Sequence, residues 1–296
     1  MPGQLGRALP APSARAVGWE IGIVLALSLG RSGVYAIVDL IEKITRAPLR
    51  DQVTTLNPPL APRPLFDLTY QLLGIGFALV PVLLVFHLLW IHGRNPFRTF
   101  GLDLRRPARD LGWGALLFLA MGLGTLLVYA VGRSAGVTTA VVGSAMNEHW
   151  WTTPVLILSA LRHSLLEEVI VVAWLIDRLS YLQRLRSAHP DDGRFGGQDM
   201  AASGVAGERG LLRGTSGAFW PVNPWAVVVV SALLRASYHL YQGVGPGVGN
   251  VVMGLVFAGF YLKYRRVMPL VVAHLLLDVA GFVGYPLLAQ LGWFGT

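Results

Sequence analysis

The sequence predicts an all-α fold, a polytopic transmembrane helical bundle of about seven spans. Of the 296 residues, 54% are hydrophobic and only 14% are charged, whereas soluble domains carry about 25% charged residues. Long apolar runs recur along the chain, and the run at 111–132 contains no charged residue. Most Lys and Arg residues lie in short polar segments between these runs, which is typical of membrane proteins with several spans.

Seven apolar runs are candidates for the spans. A helix needs about 20 mostly apolar residues to cross a bilayer. The candidate runs lie at 17–41, 66–91, 111–132, 150–181, 224–241, 248–264 and 268–291. The segment 243–249, rich in glycine, also suits a re-entrant element. The alternative prediction is therefore eight membrane elements.

The basic segments between the runs predict an orientation and a division of the chain. Residues 94–110 hold five arginines against two aspartates, and by the positive-inside tendency they face the cytoplasm. This places the N-terminus in the cytoplasm and predicts an integral protein of the plasma membrane. We divide the chain into a tail (1–16), N-terminal helices and loops (17–149), and a core (150–291). The core contains a polar cytoplasmic loop at 182–218.

Composition also limits the partners. The formal net charge is +8, but nearly all the basic residues lie in short segments between apolar runs, where they report orientation and contact with anionic lipid. We therefore expect membrane lipid as a partner and no nucleic acid. The chain contains no Cys, which excludes disulfides and thiolate ligands and leaves His and carboxylates as the strong metal ligands.

Two adjacent carboxylates, Glu167 and Glu168, lie near the middle of the run 150–181. An ionised carboxylate at the centre of a bilayer costs roughly 2.5 kcal/mol or more. Such a pair predicts a functional site whose polar partners come from other helices.

The later runs contain suitable partners. Arg235 and His239 are four residues apart, as are His274 and Asp278, so each pair lies on one helical face. Taken singly, each histidine is equally well explained by a structural hydrogen bond, and Arg235 by a structural counter-ion. Together, the three helices predict a reactive or ligand-binding centre, because packing alone does not require so many polar groups.

Two mechanisms suit these residue types. A carboxylate beside histidines can act as a general base on water while the histidines stabilise an oxyanion. Alternatively, a metal site can form in which Zn²⁺ keeps an open position for water. The candidate ligands of that site are Glu167, His239, His274 and Asp278. The sequence leaves both mechanisms open.

The motifs resemble those of the CPBP intramembrane protease family, also called the CAAX-protease or Abi family. Its pattern is EExxxR, FxxxH and HxxxN or HxxxD, each motif on its own transmembrane helix. Here the pattern corresponds to Glu167-Glu168, then His239, then His274 with Asp278, and the resemblance covers about residues 150–285.

The resemblance implies an endopeptidase that cleaves a peptide bond inside the membrane. Its partner would be a peptide or protein substrate, which in some relatives carries a prenylated cysteine. Glu167 would activate water with help from Glu168. The side chains of His239, His274 and Asp278 would position the water and stabilise the oxyanion.

The chain departs from the family pattern at two places. Val172 stands where EExxxR has arginine, and Arg235 stands where FxxxH has phenylalanine. We interpret this as a positive charge moved between helices, with Arg235 balancing the glutamates. In the third motif the chain has Asp278 instead of Asn, and an ionised Asp cannot donate a hydrogen bond as Asn can. It must be protonated, orient His274 or bind metal.

Two rival functions follow from the same residues. One is a non-catalytic membrane partner or immunity-type protein of this family, which keeps the polar core for structure. The other is a proton-coupled transporter with Glu167, Glu168 and Asp278 as a relay. Transporters usually show repeated halves, and the sequence contains no internal repeat.

Overall fold

The fold is almost entirely helical in the computed structural model, which describes residues 10–188 and 221–284. Two helices continue into π-helical segments, in which each N–H bonds to a carbonyl five residues earlier. The helices are α1 (Ala14–Ala26), α2 (Leu29–Arg46), α3 (Pro64–Ala78), α4 (Val80–Ile91), α5 (Pro96–Phe100), α6 (Pro107–Ser134), α7 (Thr152–Glu167), α8 (Leu175–Ala188), α9 (Pro224–Ser237), α10 (Val244–Tyr264) and α11 (Met268–Val279). The π-helical segments are Glu168–Trp174, between α7 and α8, and Ala280–Gly284, after α11.

Fewer helices than predicted are long and apolar enough to cross a membrane. Among the described residues there are three, Pro64–Ile91, Pro107–Ser134 and Val244–Tyr264. There are four if the bent pair of α1 and α2 forms one span. The other predicted spans form shorter apolar helices or carry too many charges. The helical, membrane-type fold is thus confirmed, but about seven spans are not.

The first predicted span is broken. The axes of α1 and α2 differ by 53°. At the break, Ser28 has a non-helical backbone (φ −136°, ψ −125°). Its hydroxyl donates to the Val24 carbonyl at 2.6 Å, a local side-chain bond that competes with the helical ladder. Hydrophobicity alone did not indicate this bend.

Two short strands pair where the sequence predicted only loops. The strands β1 (Val53–Thr55) and β2 (Ala140–Val142) run parallel, with Val53 opposite Ala140. Lys43, near the end of α2, donates to Thr54 Oγ1 at 3.2 Å and so ties α2 to β1. This small sheet closes the end of the bundle beside the α2 helix.

The glycine-rich segment 243–249 does not form a separate re-entrant element. Gly243 has a φ of 110°, a conformation that favours glycine, and α10 begins at the next residue. The predicted polar loop at 182–218 also starts later than expected, because α8 continues to Ala188. Residues 189–218 of that loop lie outside the described residues.

The helical stretch from α7 to α8 forms the centre of the bundle. Residues 169–176 are all buried, and Trp174 is fully buried. The helices α9 and α10 pack closely against each other, since a Cβ on Gly254 would lie 2.6 Å from the Ala232 Cα. Ser231 on α9 donates to the Val171 carbonyl at 2.8 Å. These contacts hold α9 against the segment that carries the two glutamates.

Candidate functional site

The two adjacent glutamates lie at the junction between α7 and the π-helical segment. Glu167 ends α7 and Glu168 begins the segment. Their exposed fractions are 5% and 0%. A short π-helical segment inside an α-helix is frequent at functional sites. Buried carboxylates need partners, and two other helices, α9 with the residue that follows it and α11, supply them.

Arg235 contacts both carboxylates. Its Nη2 donates a hydrogen bond to Glu168 Oε1, and its Nη1 lies 3.4 Å from Glu167 Oε2. The arginine is fully buried and its guanidinium carbon lies 5.4 Å from the centre of the Phe257 ring. One guanidinium thus neutralises part of the charge of two glutamates.

His274, on α11, reaches the same pair from another side. Its Nδ1 lies 2.7 Å from Glu168 Oε1, and its Nε2 lies 4.0 Å from Glu167 Oε2. The side chain is 5% exposed. His274 therefore holds Glu168 directly and places its second ring nitrogen near Glu167.

Sequence analysis did not identify Tyr238 as part of the site. Its hydroxyl donates to Glu167 Oε2 at 2.9 Å. The other oxygen of Glu167, Oε1, accepts no hydrogen bond from any described residue. The signal in the sequence is weak: Tyr238 follows Arg235 by three residues, so both can face the same neighbour at a helix end.

His239 lies in the turn between α9 and the 3₁₀ helix Leu240–Gln242 rather than on a long helix. The helix α9 ends at Ser237, four residues before the predicted end of that run at 241. The Nδ1 of His239 is 3.0 Å from the Arg235 carbonyl oxygen. This bond orients the ring and leaves Nε2 as the nitrogen that can face a substrate.

Asp278 lies beside two histidines. Its Oδ2 is 3.7 Å from His274 Nε2 and 3.5 Å from His163 Nδ1. The exposed fraction of its side chain is 21% and that of His163 is 30%, so this pair is more open than the glutamates. Asp278 thus contacts His274 directly and neither glutamate among the described ion pairs.

An apolar cavity of about 520 Å³ opens beside these side chains. The polar residues in its wall include His239, His274 and Asp278. Most of the remaining wall is apolar and comes from α6 and α10, for example Phe118, Leu119, Leu123, Leu126, Val128 and Met253. The cavity therefore has room for a hydrophobic ligand next to these three polar side chains.

The donor set for a metal ion differs from the predicted one. Among the described residues, ligand atoms of Glu167, Glu168 and His274 lie within 4.8 Å of one another. His239 and Asp278 do not belong to this group. The guanidinium of Arg235 already contacts both carboxylates of the group.

Comparison with known proteins gives one family model that matches part of the chain. Residues 149–280 match the family model described as type II CAAX prenyl endopeptidase Rce1-like. The match spans all three motifs, from Glu167 to Asp278. It agrees with the resemblance that the motifs indicate. Comparison with curated proteins and with solved structures gave no significant match.

Proposed function

We propose that this chain, whose residues 149–280 carry the Rce1-like type II CAAX prenyl endopeptidase domain, is an intramembrane endopeptidase that uses Glu167 to activate water. The observation that carries the proposal is the buried cluster of two glutamates and a histidine, with Arg235 and Tyr238 against it. Because buried ionisable groups are costly in an apolar protein, such a cluster favours a function that uses its carboxylates.

In this mechanism the two oxygens of Glu167 have different tasks. Tyr238 and Arg235 hold Oε2, while Oε1 is left to accept a proton from water. The water oxygen attacks the peptide carbonyl carbon as its proton passes to Oε1. Protonated Glu167 then gives this proton to the leaving amine, so the base is regenerated.

The histidines act on the oxygen of the substrate carbonyl. His239 and His274 both line the apolar cavity. Their Nδ1 atoms face two acceptors, the Arg235 carbonyl oxygen and Glu168 Oε1. Each ring must therefore carry a proton on both nitrogens for its Nε2 to donate to the negative oxygen that forms during attack. Glu168 has a supporting task. It accepts from Arg235 and contacts His274, and thereby fixes both groups around Glu167.

Zinc fits this donor set poorly. Two of its three ligands would be the carboxylates that the Arg235 guanidinium contacts, so the ion would lie beside a buried positive charge. One nitrogen of His274 also already faces Glu168. We therefore propose a glutamate-type protease whose reaction does not use a metal ion.

The proposed substrate is a membrane-embedded peptide or protein. The apolar cavity next to the cluster suits a hydrophobic segment or an attached lipid chain. The chain is an integral membrane protein, as its long apolar helices and its family indicate. We place it in the plasma membrane with the N-terminus in the cytoplasm, in contact with lipid.

The rival functions are less well supported. A non-catalytic partner would gain nothing from a glutamate oxygen left without a hydrogen-bond donor. A transporter would need a polar path to both membrane faces, but the cavity next to His239 and His274 is mostly apolar.

The test is hydrolysis by the purified chain in proteoliposomes. The probe is a fluorogenic peptide with a farnesylated cysteine followed by three residues, beside its unlipidated counterpart. Glu167→Gln should abolish cleavage and leave the melting temperature near that of the wild type, because Gln keeps the shape but cannot accept the proton. The control is Glu42→Gln, at an exposed carboxylate on α2.

A chelator arm distinguishes the two mechanisms. Wild-type activity that survives chelation supports the glutamate mechanism, whereas loss that zinc restores would overturn it. Full activity in Glu167→Gln would remove Glu167 from the reaction. No cleavage of either peptide by the wild type would contradict the endopeptidase proposal for these substrates.

A further inference from the structure

A second cavity lies between α2, β1 and the turn that follows α9. Its volume is about 740 Å³, within the range of about 300–1,000 Å³ that is usual for ligand pockets. Residues 31–55 form most of its wall and precede the family domain at 149–280. Most of the cavity wall therefore lies outside the matched domain, which contributes Tyr238 and Tyr241.

The wall from α2 is a polar stripe. Arg31, Tyr35, Asp39 and Lys43 recur every four residues and all line the cavity. Residues at this spacing share one helical face. The twelve steps of the helix from Arg31 to Lys43 extend about 18 Å. An extended peptide of about five residues has the same length. The stripe is thus long enough to accompany a short peptide segment.

One end of the stripe is closed by Lys43. Its Nζ lies 2.8 Å from Asp39 Oδ2 and donates to the Tyr241 carbonyl at 2.5 Å. The charges of Lys43 and Asp39 therefore compensate each other. This pair fixes the wall of the cavity and leaves no net charge for a ligand.

The positive charge of Arg31 is not compensated. Arg31 forms no ion pair and no hydrogen bond within the described ranges, 10–188 and 221–284. Its neighbour Gly33 packs against Ser237, since a Cβ there would lie 2.5 Å from Ser237 Oγ. The α2 segment next to Arg31 therefore approaches the end of α9, one residue before Tyr238.

Tyr238 connects this cavity with the catalytic cluster. Its side chain lines the cavity, and its hydroxyl donates to Glu167. The next residue, His239, lines the apolar cavity instead. Two cavities therefore meet at consecutive residues beside the proposed catalytic glutamate. One is mostly apolar, and the other, which we call the polar cavity, has charged and hydroxyl-bearing side chains in its wall.

We propose that the polar cavity is a second substrate subsite, which binds the hydrophilic part of the cleaved peptide and pairs Arg31 with a carboxylate near the cleaved bond. This inference rests on the proposed endopeptidase function. The carboxylate is either an acidic side chain or the C-terminal carboxylate of the peptide. A guanidinium binds both in the same way, through two parallel hydrogen bonds.

The experiment compares three farnesylated fluorogenic peptides that differ only beyond the cleaved bond. The first ends in a free carboxylate, the second in a carboxamide, and the third in a carboxamide with Asp two residues after the bond. We expect the wild type to show a kcat/KM at least about threefold higher for one or both acidic peptides than for the neutral peptide, as an exposed ion pair allows. The preferred acidic peptide identifies the source of the carboxylate.

Variants of Arg31 then assign the preference. Arg31→Gln should reduce the ratio of acidic to neutral kcat/KM to about one. Arg31→Glu should favour a peptide with Lys in place of Asp, a gain that poor folding cannot produce. The control is Arg15→Gln, an exposed arginine in α1 that does not line the cavity. The ratio of acidic to neutral kcat/KM should stay at its wild-type value in this control.

The possible failures are distinguishable. If the wild type cleaves all three peptides equally, the subsite is wrong and the protease is not. If Arg31→Gln keeps the wild-type preference, another cation binds the carboxylate and the assignment to Arg31 is wrong. If the wild type cleaves no peptide, the proposed endopeptidase function has failed first, and the subsite fails with it.

Discussion

Arg235 and Glu168 lie on different helices, are both fully buried, and are joined by a hydrogen bond from Nη2 to Oε1. The same guanidinium lies 3.4 Å from Glu167. The family motif has its arginine four residues after the second glutamate, where this chain has Val172. We propose that Arg235 replaces that arginine from the neighbouring helix.

The first prediction is that Arg235→Leu destabilises the protein. The change leaves two buried glutamates without their cation, and breaking a buried ion pair costs about 3–5 kcal/mol. We expect a clearly lower melting temperature in detergent and a lower yield of folded protein. The control is Arg46→Leu, whose partner Glu42 is exposed at the end of α2.

The second prediction is that the family pattern rescues this loss. Val172→Arg together with Arg235→Phe returns the cation to the helix that carries the glutamates. The double variant should be more stable than Arg235→Leu, and Val172→Arg alone should be the least stable because it adds a second buried charge. If the double variant is as unstable as Arg235→Leu, the proposed exchange of charge between the helices is wrong.

The third prediction concerns Tyr238, which we regard as a positioning residue for Glu167. Tyr238→Phe removes the hydrogen bond at 2.9 Å, and a bond to a charged group contributes about 1.5–3 kcal/mol. We expect kcat to fall about tenfold or more with little change in KM, measured with the farnesylated peptide.

A matched control for this variant is Tyr181→Phe. Tyr181 is also a buried tyrosine, and its hydroxyl donates to the Pro12 carbonyl at 2.9 Å, away from the site. It should keep the wild-type kcat. If both variants lose kcat equally, the effect is structural and the positioning role is wrong.

The fourth prediction separates the possible roles of Asp278. Its carboxylate lies near His274 and His163, so an amide can replace it if it only orients these rings. Asp278→Asn should keep kcat/KM within about tenfold of the wild type, whereas Asp278→Leu should lose about a hundredfold. A metal ligand would behave differently, because both variants would then lose activity and a chelator would abolish that of the wild type.

The fifth prediction is a pH dependence of stability at the loop before α6. Burial raises the pKa of Asp103. Hydrogen bonds from the Arg105 backbone N–H and the Arg266 guanidinium together lower it by more than burial raises it, so the pKa lies below its usual value. A carboxyl whose pKa is lower in the folded than in the unfolded protein stabilises the fold at pH values above its unfolded pKa of about 3.9. This stabilisation is lost as pH falls toward the folded pKa.

The melting temperature should therefore decrease as pH falls below about 4. Asp103→Asn and Arg266→Gln each remove the ion pair at 3.0 Å. Both variants should show a smaller decrease over the same pH interval. A wild-type slope that neither variant reduces would assign the acid sensitivity to other groups.

The sequence did not predict how its apolar runs are divided into helices. An apolar run of sufficient length indicates burial or membrane contact, but it does not show where the helical ladder breaks. Ser28 bends the first run by 53°, and α9 ends at Ser237 before its predicted end. Both outcomes depend on local hydrogen bonds that hydrophobicity does not contain.

The sequence by itself determined the helical membrane class, the resemblance of its motifs to one protease family, and the polar side chains that are candidates for a common site. It could do so because charge in an apolar run is costly, and motif spacing is a property of the chain alone. Only the tertiary structure decided the pairing: Arg235 spans both glutamates, Tyr238 holds one oxygen of Glu167, and Asp278 lies by His163. Such contacts depend on the rotation and approach of helices that are distant in sequence, which decide the atoms that meet.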